Sequence, residues 1–237
     1  MAVTIGVHAV AEALKAGRPL SRVSIAKGIS GGRVQEIVDL CREADVPVRF
    51  EPRDILDRLA GTSVHQGVVA VGAAHGYAGL EVVEGAELVV VLDGVEDPHN
   101  LGAIVRTAHA AGATAIVIPE RRAVGLTETV AKAAAGALEH MKVARVANIS
   151  QALEALKKKG FWIYGLDERG TEDYDTVEYT LPTVIVMGGE GKGVHQLVRR
   201  HCDFLIRIPM SGKISSLNVS VATGIVLFEW KRRRRAV

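Results

Sequence analysis

Two periods of apolar residues alternate along this chain, and between them they assign most of its elements. Helical spacing covers Val7–Ala16 and Arg33–Ala44, the latter with Val34, Ile37, Val38 and Cys41 on one face. Strand patterns lie at Arg22–Ala26, Val46–Phe50 and Gly67–Gly72, and Pro52 sits where a further helix begins. Together they predict a small α/β domain over residues 1–72. The stretch 73–85 (AAHGYAGLEVVEG), rich in glycine and small residues, reads as a linker. The pattern restarts over 86–237. Continuous apolar runs at Leu88–Leu92, Ala115–Ile118, Phe161–Leu166, Thr183–Met187 and Phe204–Ile208 suit strands buried on both faces. Helical patterns separate them at Asn100–Ala111, Thr127–Leu138, Ser150–Lys159 and Leu217–Lys231. Such alternation predicts a parallel sheet covered on both sides, with ligands at the carboxyl ends of its strands.

Composition narrows the class only slightly. The chain has 237 residues, 48% of them hydrophobic, enough for a substantial core. Its 29 basic and 27 acidic residues nearly balance, which is weak support for a nucleic-acid partner. The concentrated charge run, Lys231–Arg235, reads either as a solvated, disordered end or as a phosphate-attracting arm. Cys41 and Cys202 lie far apart, so no disulfide framework is expected and a reducing cytoplasm fits. No secretory signal is visible, and no apolar stretch approaches the roughly 18 residues that span a bilayer. The histidines lack zinc spacing, His195 and His201 read as flanking an ordinary helix, and no metal is expected. No GxSxG elbow is present, while a Ser–His or Cys–His pair stays open.

Three loops carry unusual residues. The first follows the run at Leu88–Leu92 and reads DGVEDPHNLG into a helix. There Leu101, Ile104, Val105 and Ala108 form the apolar stripe, while Asn100 and Arg106 lie off it and on different faces. Asn100 sits at the positive end of the helix, and Arg106 has an uncrowded flank beside Gly102 and Ala103. The second loop, Met187–Gly193 (MGGEGKG), has four glycines that allow close backbone approach to a ligand, and a lone Glu190. It matches neither a Walker A loop nor GxGxxG. The third, IPMSGKISSLNVS from Ile208, precedes a long apolar helix. Ser216 is its expected N-cap, and Leu217, Val221, Ile225 and Phe228 lie at core spacing. Val219, Ala222 and Val226 broaden that stripe enough for it to pack on a partner chain as well.

In this order, DPHNLGAIVRTA at 97–108, MGGEGKGV at 187–194 and IPMSGKISSLNVSVATG at 208–224 resemble the SpoU (TrmH-like) family of RNA 2′-O-ribose methyltransferases. The likeness covers essentially the whole chain, including His65-Gln66-Gly67, and is strongest to the RlmB-type subgroup. It implies a SPOUT-type α/β catalytic domain over 86–237 with a C-terminal trefoil knot at about 183–228, a type of threading rare in proteins. It also implies a small L30e-like α/β domain before it, and homodimers formed through the knotted domain.

The family's motif positions fall on Asn100, Arg106, Glu190, Ser216 and Asn218. Its methyl donor, S-adenosylmethionine, is held mainly by backbone groups, here around Gly188, Ile208, Met210 and Leu217. The implied reaction is methylation of a guanosine ribose in the peptidyl-transferase region of bacterial 23S rRNA. The rivals are another rRNA nucleotide, a tRNA, or a non-catalytic RNA-binding assembly factor of the same fold. A nucleotide-dependent oxidoreductase would need the missing dinucleotide fingerprint. Neither DNA nor a membrane is an expected partner.

Overall fold

The computed structural model describes residues 2–189, 193–213 and 216–235, the side chain of Arg235 excepted. It divides into two compact units, Met1–Gly76 with Leu126–His140, and Tyr77–Gly125 with Met141–Val237.

The first unit is built on β1 (Ala2–Ile5), α1 (Val7–Lys15), β2 (Leu20–Ala26), α2 (Gly32–Glu43), β3 (Val48–Glu51), α3 (Arg53–Ala60) and β4 (Val68–Gly72). Its sheet runs β1-β4-β2-β3, antiparallel except for the β2–β3 pair. One face packs Val10, Leu14, Val23, Ile25, Ile37 and Val68 together, and the other packs Leu56, Ala60 and Val69. The His65-Gln66-Gly67 stretch is a turn. His65 is fully buried, bonded through Nε2 to Asp57 (2.7 Å), and its Nδ1 accepts the Gly67 N–H (2.9 Å). Gln66 and Gly67 both have positive φ, and a Cβ on Gly67 would come within 2.7 Å of Ile29.

The segment from Leu126 belongs to this unit. The helical pattern over 127–138 is met by α5 (Glu128–Ala134) and a separate 3₁₀ turn at Ala137–Glu139. The break falls where Ala135 (φ 49°) and Gly136 (φ 90°) enter the left-handed region. α5 packs on β1, and Glu139 lies 3.4 Å from Arg18, whose guanidinium also donates to Thr4 and to His75 (2.7 Å).

The second unit holds β5 (Leu88–Asp93), α4 (Pro98–Ala111), β6 (Ala115–Pro119), β7 (Lys142–Val146), α6 (Ile149–Lys158), β8 (Trp162–Leu166), β9 (Glu172–Asp173), β10 (Thr183–Gly188), α7 (Gln196–Arg199), β11 (Phe204–Arg207) and α8 (Val219–Arg235). Its seven strands run β7-β6-β5-β10-β8-β11-β9, and every pairing is parallel. Every residue of β5 and of β10 is buried, as strands in the middle of a covered parallel sheet require. β10 is inserted between β5 and β8, so the chain reverses its direction of winding there. That switch point is where parallel sheets open a crevice for ligands.

The 73–85 stretch is shared between the units. Tyr77 onward docks on β7: the Ala78 N–H donates to Val143 O (2.9 Å), and Ala78 O accepts from Arg145 N (3.1 Å). A 3₁₀ turn at Leu80–Val83 then buries Val83.

α8 departs from its sequence reading in three ways. It begins at Val219, and its cap is Asn218, not Ser216: Asn218 Oδ1 accepts from Ser220 N (2.9 Å), Ser220 Oγ (2.6 Å) and Val221 N (3.4 Å). Its buried stripe is Val219, Ala222, Thr223, Val226, Leu227 and Trp230, whereas Val221 and Phe228 are 51% and 48% exposed. α4 selects this stripe, since it packs along α8 and leaves the Val221–Phe228 side outward. The basic run is neither a disordered end nor a free arm, because it continues the helix. Glu229 bonds Arg232 and Arg233, Lys231 donates to Ala110 O (2.5 Å), and Arg233 and Arg234 donate to the carbonyls of Asp175 and Tyr179.

Candidate active site

The site forms at the carboxyl ends of β5, β8 and β10. β5 ends in Asp93, a carboxylate only 6% exposed after five buried apolar residues. Gly94 follows with φ 95°, and α4 starts at Pro98 with Asp97 as cap, its Oδ1 accepting the Asn100 N–H (2.9 Å). The predicted stripe of Leu101, Ile104, Val105 and Ala108 is buried. Asn100 therefore stands in the first turn of α4, half-buried, and Arg106 stands exposed further along the helix. The Arg106 guanidinium enters no hydrogen bond or ion pair among the described residues, which leaves all its donors available.

β10 ends in Gly188, and the chain turns back so that Gly189 pairs with Gly193. A Cβ on Gly188 would fall 2.0 Å from the Gly193 carbonyl carbon, and one on Gly189 would fall 2.3 Å from Gly94 O. These two glycines thus serve close packing of the chain against itself. Glu190 lies outside the described residues.

The far side of the turn is held by two buried carboxylates, one from each strand beside β10. Asp93 Oδ2 accepts both the backbone N–H (2.8 Å) and the Nδ1–H (2.9 Å) of His195. Asp167, after β8 and 5% exposed, accepts from Arg169 N (3.0 Å), and its Oδ2 would lie 3.3 Å from a Cβ on Gly193. His195 does flank a helix, as the sequence predicts, since it directly precedes α7, but its tie to Asp93 is not foreseen. The signal is present in Asp93, a charged residue ending an apolar strand, but its partner lies 102 residues away.

The third loop reaches the site through Asn218. Ile208 leaves β11 half-buried, and Met210 and Leu217 are 40% and 39% exposed. Ser216 is exposed. Asn218 Nδ2 donates to Asn100 Oδ1 at 3.0 Å, so the start of α8 is tied to the start of α4. The structure thus joins Asn100 to Asn218, while no described contact joins Arg106 to either. The ends of β10 and β11 offer backbone groups, and Met210 and Leu217 offer apolar surface. That donor set fits a flat, partly apolar group such as an adenine nucleoside.

Thiol chemistry is not available nearby. Burial pushes the Cys202 thiol up to about 12 and Cys41 up to about 11, so neither carries a thiolate at neutral pH. Among the described residues no group of three His, Cys, Asp or Glu side chains is placed to hold a metal ion. Among them, too, no helix is long and apolar enough to cross a membrane.

The chain is similar to known proteins over most of its length. Residues 87–228 match the SpoU rRNA methylase family, and residues 4–78 match the substrate-binding region of RNA 2′-O ribose methyltransferases. YacO of Bacillus subtilis, assigned by name to the TrmH family of tRNA/rRNA methyltransferases, is 46% identical over 98% of this chain and 96% of its own length. An AdoMet-bound rRNA methyltransferase from Sinorhizobium meliloti superposes with a TM-score of 0.84 at 28% identity, covering 98% of this chain and 87% of that one. The SpoU methyltransferase AviRb from Streptomyces viridochromogenes gives 0.84 at 25% identity, covering 99% and 90%. On the extent of these matches, the chain belongs to the SpoU rRNA methylase family.

Proposed function

We propose that this protein methylates the 2′-hydroxyl of a guanosine ribose in 23S rRNA, taking the methyl group from S-adenosylmethionine. The observation that carries the reading is that Asn218 bonds Asn100 at the start of α4, while Gly189, after β10, packs against Gly94 in the loop that leads into α4. When bound, the donor supplies a methyl carbon already activated by its sulfonium charge. The backbone at Gly188 and Ile208, with Met210 and Leu217, would hold its nucleoside part. The chain's own work is then to position the ribose and manage its proton.

Arg106 suits that work as a fixed cation with five donors. A bidentate grip on the target phosphate would set the sugar, and the remaining N–H groups would stabilise the developing alkoxide. It is a poor proton acceptor, because a guanidinium stays charged. Asn100, tied to Asn218, would bond a ribose hydroxyl. Glu190 and Ser216 complete the proposed set through the resemblance. Reliance on a 2′-hydroxyl explains a preference for RNA over DNA. We assign the knot to about 183–228 and a homodimer to the α8 surface, where Val221 and Phe228 stay exposed. Two free cysteines suit a cytoplasmic setting.

Incubation with methyl-labelled donor and separate pools of rRNA and tRNA, followed by mapping of 2′-O-methyl positions, tests the reading. Label on a guanosine of 23S rRNA is the expected result. Label confined to tRNA would replace the substrate, and no label with RNA binding intact would favour an assembly factor.

A further inference from the structure

The same carboxyl edge carries a second group of residues, away from Asn100 and Asn218. β6 ends at Pro119, and the loop after it presents Arg121 and Arg122, both exposed. Beside it β7 presents Arg145, also exposed and paired in register with Ile118. The Arg145 guanidinium lies 4.9 Å from the centroid of the Tyr77 ring and donates to Glu120 O (3.1 Å). Tyr77 itself is 38% exposed, and a Cβ on Gly125 would sit 2.9 Å from its hydroxyl. Tyr77 and Arg145 therefore flank a short loop that itself carries two further arginines.

Folding alone gives no reason for this loop's composition. Arg122 has φ 58°, a left-handed conformation that glycine would adopt with less strain. Its backbone is nevertheless held there: Val124 N donates to Val95 O (3.1 Å), and the Arg122 carbonyl lies against Gly94 at the site. The side chains of Arg121 and Arg122 enter no hydrogen bond or ion pair among the described residues. Glu120 shares the loop, but Arg145 uses its carbonyl rather than its carboxylate. Strained backbone bearing uncommitted cations beside a stacked ring is an arrangement for a ligand, and phosphate with a flat base is the chemistry it matches.

We propose that Tyr77, Arg121, Arg122 and Arg145 form a subsite for single-stranded RNA, in which the arginines take backbone phosphates flanking the target nucleotide and Tyr77 stacks on an unpaired base. The subsite rests on the methyltransferase reading for its meaning, but its existence is measured separately.

The test is binding of a fluorescein-labelled oligouridylate to the full chain across a range of salt. Arg121→Ala with Arg122→Gly should weaken binding roughly tenfold at low salt. The slope of log affinity against log salt should fall by about 0.7 for each phosphate that is no longer neutralised. Tyr77→Leu should weaken binding several-fold with little change in slope, because stacking carries no counterions. Arg122→Gly alone should melt no lower than the parent, since it relieves the left-handed residue. An unchanged affinity and slope in the folded double variant would overturn the subsite, as would a clear loss of melting temperature in Arg122→Gly. Methyl transfer by the parent protein is assayed alongside. Transfer with an unchanged slope removes the subsite alone, and a changed slope without transfer removes the methyltransferase reading alone.

Discussion

Asn218 donates a 3.0 Å hydrogen bond to Asn100 across 118 residues of chain, while its own side-chain oxygen caps α8. One side chain thus starts the last helix with its oxygen and ties that helix to the candidate site with its nitrogen. The two roles separate by substitution. Asn218→Asp keeps a capping acceptor but faces Asn100 with a second acceptor, so stability should hold near that of the parent while methyl transfer falls. Asn218→Ala removes both and should cost about 1 kcal/mol in addition. Thermal unfolding beside a transfer assay distinguishes them, and equal activity in Asn218→Asp would show that the link to Asn100 does not matter.

Asp93 offers a comparable test for the turn after β10. Its Oδ2 serves both the backbone and ring N–H of His195. Asp93→Ala strips both donors of their acceptor, one of them a backbone N–H, and should destabilise the chain by about 2 kcal/mol. His195→Ala should cost less, because the backbone bond survives and the imidazole side chain is already 41% exposed. Urea denaturation of the two variants checks the order. If His195→Ala were the worse of the two, the ring contact and not the backbone contact would be holding the turn.

Much of this fold is legible in the apolar pattern because the central strands are buried on both faces. β5 and β10 announce themselves as unbroken apolar runs, and α4 shows its stripe at Leu101, Ile104, Val105 and Ala108. β7 stays hidden for the converse reason: it is an edge strand, and Lys142 and Arg145 are exposed within it. The facing side of α8 is not legible because its first ten residues are apolar nearly all round, and only packing on α4 decides which of them enter the core. The basic tail reads as a disordered end or a phosphate-attracting arm because its acceptors, backbone carbonyls of Asp175, Tyr179 and Ala110, leave no trace in a charge pattern. For the site, the loop after β5 points to Asn100 and the resemblance to Asn218, while the Asp93–His195 pair needs the fold to bring β5 to β10.

The first unit carries a pH response. His75 accepts from Arg18 through Nε2 (2.7 Å), with Glu139 3.5 Å away. Burial, with Arg18 adding to it, pulls His75 down to about 4 from its ordinary 6.5. The unfolded chain therefore binds this proton more readily than the native one. The stability contributed by neutral His75 is complete above about pH 6.5 and is lost as pH falls toward 4. Glu139, raised above its ordinary 4.5 by burial against the pull of Arg18, acts with the opposite sign, its contribution being lost as pH rises above 4.5. His75→Gln keeps an acceptor for Arg18 but cannot titrate. Its stability should change less than the parent's between pH 6.5 and 4 in urea melts at stepped pH, and parallel curves would place the response elsewhere.

The outward side of α8 makes the homodimer proposal a sharp one. Val221 and Phe228 lie seven residues apart, two turns on one helix face, and each leaves about half its surface in solvent. Single exposed apolar residues are ordinary, but an aligned pair on a helix whose opposite face already fills the core marks a surface that a partner would cover. Burying the exposed halves of two such side chains contributes on the order of 1.5 to 3 kcal/mol to association before its entropic cost. Val221→Glu with Phe228→Asp should therefore move the protein to monomer in sedimentation-velocity runs at concentrations where the parent is dimeric. Neither side chain supports the core of its own chain, so the monomer should keep its near-ultraviolet circular dichroism. An unchanged sedimentation coefficient in the folded variant would place any dimer contact on another surface.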